Sequence, residues 1–295
     1  MSTLFNGLSL GAIYALIALG YTMVYGIAKM LNFAHGDVIM VGAYTVYFIM
    51  DNMHRTSLGS GAAVFLSTVV AILICTAVGV LMEKFAYKPL RGASPLAVLI
   101  TAIGVSYLLQ SVAQLIFGAT PKPVYLGSFG SVRMFGASIS VSTIITLVVG
   151  AILMVALTVF VNRTNTGRAM QAVSEDRGAA QLMGINVNKI ITITFAIGSA
   201  LAAVASLFFL MSIPSVEPTL GSMPGIKAFT AAVIGGIGSI PGAMIGGVLL
   251  GVIEKICMDI PAISNYTTAI EFGLLILILL VRPIGLLGKK RREKV

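Results

Sequence analysis

The apolar residues of this chain fall in long runs separated by short polar stretches. Eight such runs stand at approximately 4–28, 38–50, 62–82, 96–117, 139–161, 190–211, 226–258 and 266–281. Most hold about 20 residues or more, enough at about 1.5 Å per residue to cross a hydrocarbon layer about 30 Å thick as one helix. Membrane strands would alternate apolar and polar positions over about 10 residues; these runs do not, which excludes a barrel. The pattern predicts an all-α, polytopic bundle of transmembrane helices.

Two runs depart from that regularity. The run 38–50 spans about 20 Å as helix, short for a crossing, and follows the polar interruption in "MLNFAHGDVIM", residues 30–40. The run 226–258 is too long for one crossing and contains "GGIGSIPG" at 235–242. Broken or re-entrant elements are therefore expected near residues 29–37 and 235–242.

Charge then sets direction. The 295 residues carry a formal net charge of +9. In a soluble protein that would suggest a polyanion, but the positive residues sit in a few loops, so they report topology and no nucleic-acid partner is expected. They collect at 83–95 (Lys84, Lys88, Arg91), at 162–190 (Arg163, Arg168, Arg177, Lys189) and after 281 (Arg282, Lys289, Lys290, Arg291, Arg292, Lys294). All three loops should be cytoplasmic. The first two are two runs apart, as a common side requires. The tail reaches the same side only if 226–258 goes in and comes out again, which predicts a hairpin with its tip at "GGIGSIPG". The same count places the N-terminus outside and Lys29 inside, so that 14 of 19 positive residues face the cytoplasm. Arg55, Lys122 and Arg133 face out, and Lys227 and Lys255, near run ends, stay unassigned.

Composition agrees with a membrane protein: 58% of residues are hydrophobic, 10% are charged and the mean hydropathy is +1.02, against about 25% charged in soluble domains. The first 28 residues contain no Lys or Arg, and their apolar run is too long for a signal-peptide core, so the first segment is expected to remain as a span. Cys75 and Cys257 lack metal-ligand or CxxC spacing and read as small packed hydrophobes.

Paired, interrupted apolar segments in the two halves of a membrane chain point to a transport path, because irregular backbone is tolerated at depth only inside protein or beside a cavity. A pair of tight hairpins without substrate contact is the plainer alternative. The candidates for path or hinge are Asn32, His35, Gly36, Asp37, Gly235, Gly236, Gly238, Pro241, Gly242 and Glu271. Asp37 reads as a cap at the start of a helix over 38–50, Gly36 as the turn, and Asn32 as a local partner for freed backbone groups. A carboxylate at that helix end would repel a substrate carboxylate. His35 either braces the break or faces the path. Glu254, beside Lys255, suggests an interfacial position; Glu271, near the outer side, awaits an unidentified partner or a water-filled cavity. Glycines four apart, Gly7 with Gly11, Gly238 with Gly242 and Gly246, and Gly247 with Gly251, suit close helix crossings.

The most informative polar stretch is "GRAMQAVSEDRGAAQLMGINVNKI", 167–190. Ser174 can cap a helix opened by Glu175 and Asp176 and closed by Gly184 in the left-handed conformation. A helix of about nine residues is unstable alone in water. It must pack either on its own bundle or in a groove on a partner.

Together with "LSLGAIYALIALGYTMVYGIAKMLNFAHGDVIMVGAY" and "AVIGGIGSIPGAMIGGVLLG", the stretch "EDRGAAQLMGI" resembles the H-type permeases of bacterial branched-chain amino-acid ABC importers, over essentially the whole length. The resemblance implies a single permease domain over 1–295, with a cytoplasmic coupling loop at 162–190 and a basic cytoplasmic tail at 282–295. It implies Ser174, Glu175, Asp176, Ala179, Ala180 and Gly184 as the element that docks on the ATPase, although Glu175 is not contiguous with Ala179 and Ala180 as the importer motif has it. It further implies two ABC ATPase subunits, a second homologous permease and a periplasmic substrate-binding protein, in the inner membrane. No nucleotide-binding "GxxxxGK[ST]" occurs, so no cofactor is expected on this chain; ATP and magnesium would bind the partners. The expected function is ATP-driven import of leucine, isoleucine or valine by alternating access. A related permease for urea, short amides or other amino acids, and a self-sufficient channel or ion-coupled carrier, are the alternatives.

Overall fold

The computed structural model describes residues 2–53, 60–127, 130–134 and 137–288. Its helices are α1 (Ser2–Ala28), α2 (His35–Met53), α3 (Ser60–Met82), α4 (Pro95–Phe117), α5 (Val141–Arg163), α6 (Asn165–Glu175), α7 (Arg177–Leu182), α8 (Val187–Ser212), α9 (Ser222–Gly235), α10 (Ile240–Asp259) and α11 (Thr267–Val281). Among the described residues there are also two short antiparallel ribbons: β1 (Lys122–Pro123) with β4 (Ser215–Val216), and β2 (Ser131–Met134) with β3 (Ala137–Ser140). Among the described residues, seven helical stretches are long and apolar enough to cross a membrane; α2 and α9 are the additional, broken elements. The all-α polytopic bundle read from the sequence is the fold observed.

The core is built around α1. Its apolar span is 89% buried, against 17% for α4 and 11% for α11, so α4 and α11 form the perimeter. Close approach explains this burial. Gly7 and Gly11 of α1 lie against Gly251, Val248 and Val252 of α10, and a Cβ on Gly247 would strike the backbone of Ala15. Glycine lets the two backbones touch, and dispersion replaces the hydrophobic drive that lipid does not supply.

One end of the bundle gathers the basic loops. Arg91 pairs with Glu83 and donates to Asn188, Arg177 donates to the carbonyl of Ala28, and Gly236 lies against Gly288. At the other end, Tyr44 of α2 stacks on Phe117 of α4 at 4.2 Å, and β1 pairs with β4. The element order thus brings the loop after α3, the loop after α5 and the segment after α11 to a common end, as charge counting requires. Lys289, Lys290, Arg291, Arg292 and Lys294 of the tail, and Arg55, lie outside the described residues.

The long run 226–258 does fold back, as α9 and α10. Its turn uses Gly236 at φ +105° and Gly238 at φ +93°, values that side chains resist. Ser239 caps α10 by accepting from the Gly242 N–H at 3.2 Å, with Pro241 in the first turn. The shorter run is corrected: 38–50 belongs to a 19-residue helix that opens at His35. Gly36 is therefore helical, and its lack of a Cβ serves close packing on Gly221 and Gly225 rather than a turn.

Candidate translocation junction and docking loop

Helix α1 ends at Ala28, and Lys29, at φ 53°, is the left-handed residue that closes it. The chain then climbs back into the bundle before α2 starts. His35 packs into the hole left by Gly20, eight residues above the α1 terminus, or about 12 Å up the helix. His35 is buried, and its ring meets Tyr21 edge-on at 4.8 Å. Its position is that of a brace between α1 and α2. Asn32 holds the break from the other side: its side chain accepts from the Tyr87 hydroxyl at 2.7 Å, and its carbonyl accepts from the His35 N–H at 3.1 Å.

Asp37 lies in the first turn of α2, one turn later than the position expected of a cap, and among its partners is a side chain that sequence reading did not single out. Gln110 of α4 donates to Asp37 Oδ1 at 2.8 Å, and its amide nitrogen lies 3.1 Å from Ser222 Oγ and 3.2 Å from Ser106 Oγ. Ser222 is the first residue of α9, and Gly221 packs on Gly36. Two helix N-termini therefore converge inside the bundle, with their positive dipole ends beside one carboxylate. Gln110 is only half-buried and lies on the perimeter helix, so this polar cluster reaches the surface of the chain within the membrane. A lone Gln in an apolar helix carried no spacing signal; only its meeting with Asp37 reveals it.

The two breaks adjoin. Gly26 approaches Gly238, and Tyr21, Tyr25, Asn32, Phe229 and Ile237 surround a void of about 10 Å³, room for about one water. Behind the second break, Gly235 and Gly242 are in backbone contact, and the N–H groups of Leu286 and Leu287 cap the carbonyls of Ile234 and Gly235, each at 2.9 Å. The helix bundle is shut at this point.

The sequence reading of the acidic residues is also corrected. Glu254 is not interfacial: it is buried and accepts from Lys227 Nζ at 2.6 Å. Glu271 finds its partner in the same ammonium, at 3.2 Å, and is fully buried. Lys227, which charge counting could not place, thus ties α9 to α10 and α11. A lysine facing two carboxylates in a buried site requires all three groups together, because a buried charge without its partner is costly.

At the basic end, the loop 164–186 forms two helices where the sequence suggested one. Thr164 caps α6 by accepting from the Gly167 N–H at 3.0 Å, and Asp176 caps α7 by accepting from the Ala179 N–H at 3.0 Å. Ser174 is therefore no cap; it lies in the last turn of α6 and donates to the Gln171 carbonyl, while Glu175 ends α6. Gly184 fills its expected role at φ +81°, within a Schellman closure made by Gly184 N–H to Gln181 O and Ile185 N–H to Ala180 O. Of the two sequence readings of the loop, packing on its own bundle is observed in part. Met170, Val173 and Ala180 are buried on the bundle, whereas Glu175, Asp176 and Ala179 are exposed. Leu182 and Met183, at the tip, are 90% and 82% exposed. This apolar pair was legible only as two large hydrophobes directly before the closing glycine.

Membrane-length helices around two broken elements, with a paired-helix loop at the basic end, define a transport permease. The family described as branched-chain amino acid transport system / permease component matches residues 3–280, and the chain belongs to that family. It is 46% identical to the high-affinity branched-chain amino acid transport system permease protein BraD of Pseudomonas aeruginosa, over 100% of this chain and 98% of that one. It is 43% identical to the corresponding LivH of Escherichia coli, over 100% and 97%. Among solved structures, an inward-facing ABC transporter of the metal-chelate type aligns over 93% of this chain and 86% of that chain, with a TM-score of 0.50 and 15% identity, a likeness of fold.

Proposed function

We propose that this chain is a membrane-spanning subunit of an ATP-driven importer that moves branched-chain amino acids across the bacterial inner membrane by alternating access. Its C-terminus and basic loops face the cytoplasm and its N-terminus faces the periplasm. ATP and magnesium act on two partner ATPase subunits; a second homologous permease completes the path, and a periplasmic binding protein delivers substrate. The single permease domain carries its docking element in α6 and α7, with Leu182 and Met183 as the groups that enter the ATPase groove and Glu175, Asp176, Ala179 and Gly184 around them.

One observation carries this reading. Arg177, the first residue of α7, donates to the carbonyl of Ala28, the last residue of α1, so the docking loop is fastened to the edge of the first break. Burying Leu182 and Met183 in a partner would contribute about 1.5–3 kcal/mol each, and motion of the docked loop passes through Arg177 to the junction. The path runs along the exposed side of that junction, past Asp37, Ser106, Gln110 and Ser222, because a polar cluster at membrane depth is tolerated beside water or protein and disfavoured against lipid.

Reconstitution tests this. The complete transporter in liposomes takes up leucine only with ATP and the binding protein; Arg177→Ala keeps ATP hydrolysis and loses uptake, and Leu182→Ser with Met183→Ser loses ATPase association. Uptake by this chain with no ATPase present would contradict the reading, and uptake of urea or short amides in place of leucine would redirect its substrate.

A further inference from the structure

At the end of the bundle opposite the basic loops, a cavity of about 450 Å³ opens between the last turns of α2 and the strand β1. Tyr47, Met50 and Asp51 come from α2, and Lys122, Pro123 and Val124 from β1 and its continuation. The register of Lys122 opposite Val216 fixes the backbone on that side, and Lys122 Nζ lies 5.7 Å from the centroid of the Tyr47 ring.

The two charges are arranged in a way that stability does not explain. Asp51 is exposed, and no ion pair or hydrogen bond among the described residues engages its carboxylate. It stands in the last turn of a 19-residue helix, where the negative end of the dipole disfavours an acid. Lys122 lines the same cavity without pairing with it. A volume of this size is in the range that holds small ligands, and the remaining wall is aromatic, thioether, proline and valine. Opposite charges held apart over an apolar wall match a zwitterion with an apolar tail.

We infer that this cavity is an outer acceptance site for an aliphatic α-amino acid, with the ligand carboxylate toward Lys122, its ammonium toward Asp51 and its side chain against Met50 and Pro123. The inference rests on the chain being an amino-acid permease, and it adds a site ahead of the closed junction. Both charges reach solvent, so the ligand is bound weakly and exchanges fast, and it is held only when both ion pairs form together. A substrate received here is held briefly and passed on.

The test uses thiol protection in right-side-out liposomes containing the complete transporter without its binding protein. Pro121→Cys places a reporter on the cavity wall, while the native Cys75 and Cys257 are buried. L-leucine raised to about ten times its Kd slows labelling by an impermeant maleimide about tenfold. Isocaproate, which lacks the ammonium, and isoamylamine, which lacks the carboxylate, leave the rate nearly unchanged. Lys122→Met and Asp51→Asn each abolish protection while the rate without ligand stays at the parent value, which shows an intact fold. Absence of protection in the parent, or protection that survives both substitutions, overturns the site. ATP-driven leucine uptake, measured in parallel with the binding protein added, separates the two claims. Uptake without protection overturns this site alone; protection without uptake overturns the importer reading and leaves the site standing.

Discussion

The two breaks in the bundle adjoin across one small void, yet they are built in opposite ways. The second, between α9 and α10, is held by backbone. Gly235 and Gly242 touch, Gly246 lies against Ala231, and the segment after α11 caps the open carbonyls of α9. Lys227 then stitches both arms together through Glu254. The first, between α1 and α2, is joined by side chains, namely the Tyr87–Asn32 hydrogen bond, the His35 ring in the space beside Gly20, and Gln110 on Asp37; its close backbone contact, at Gly36, is made with Gly221 and Gly225 at the start of α9 and not between α1 and α2. Backbone contacts allow one arrangement only, whereas side-chain contacts can be exchanged by rotamer changes within a packed bundle. The difference makes α9–α10 a rigid hairpin and the α1–α2 junction the element that moves.

Substitutions at the rigid hairpin should cost the most. Lys227→Met strands two buried carboxylates and is expected to destabilise the transporter by about 3–5 kcal/mol, read as a lowered thermal midpoint in detergent. A midpoint at the parent value would show that the ionic knot does not hold the hairpin. Gly242→Ala forces a methyl into the backbone of Gly235 and is expected to cost about 1–3 kcal/mol; an unchanged melting curve would mean that the glycine contact is slack. At the first break, Tyr87→Phe leaves the Asn32 oxygen buried without a donor, for a cost of about 1–2 kcal/mol. Its effect on uptake should exceed its effect on stability, and equal losses in the two measurements would remove the distinction between the breaks.

Much of the fold was legible in the sequence, though not the contrast between the breaks, which were read there as a like pair. Apolar run length and the distribution of Lys and Arg were enough for the bundle, for the common end of the basic loops and for the fold-back at 235–242, since both reflect one-dimensional rules of bilayer thickness and loop charge. Gly7, Gly11, Gly247 and Gly251 declared a helix crossing through spacing alone. The start of α2 was misplaced because His35, Gly36 and Asp37 are poor formers of a membrane helix, and only packing on Gly20, Gly221 and Gly225 makes them helical. Lys227 with its two acids, Gln110 with Asp37, and Asp51 with Lys122 were invisible because each joins residues far apart in the chain. Residue type gives no hint of such partners. The loop at 164–186 was half legible: Gly184 signalled its end, but the cap at Asp176 was obscured by the equally good cap residue Ser174 nearby.

The central claim is that docking moves the first break and leaves the second fixed. Distance measurements between spin labels address it directly, comparing the resting and the ATP-bound, vanadate-trapped transporter. One pair sits on the exposed positions Leu4 of α1 and Phe48 of α2, the other on the exposed positions Met223 of α9 and Ile256 of α10. The Leu4–Phe48 distance is predicted to change by several ångströms while Met223–Ile256 stays constant. A constant Leu4–Phe48 distance with a change across α9 and α10 would contradict the account.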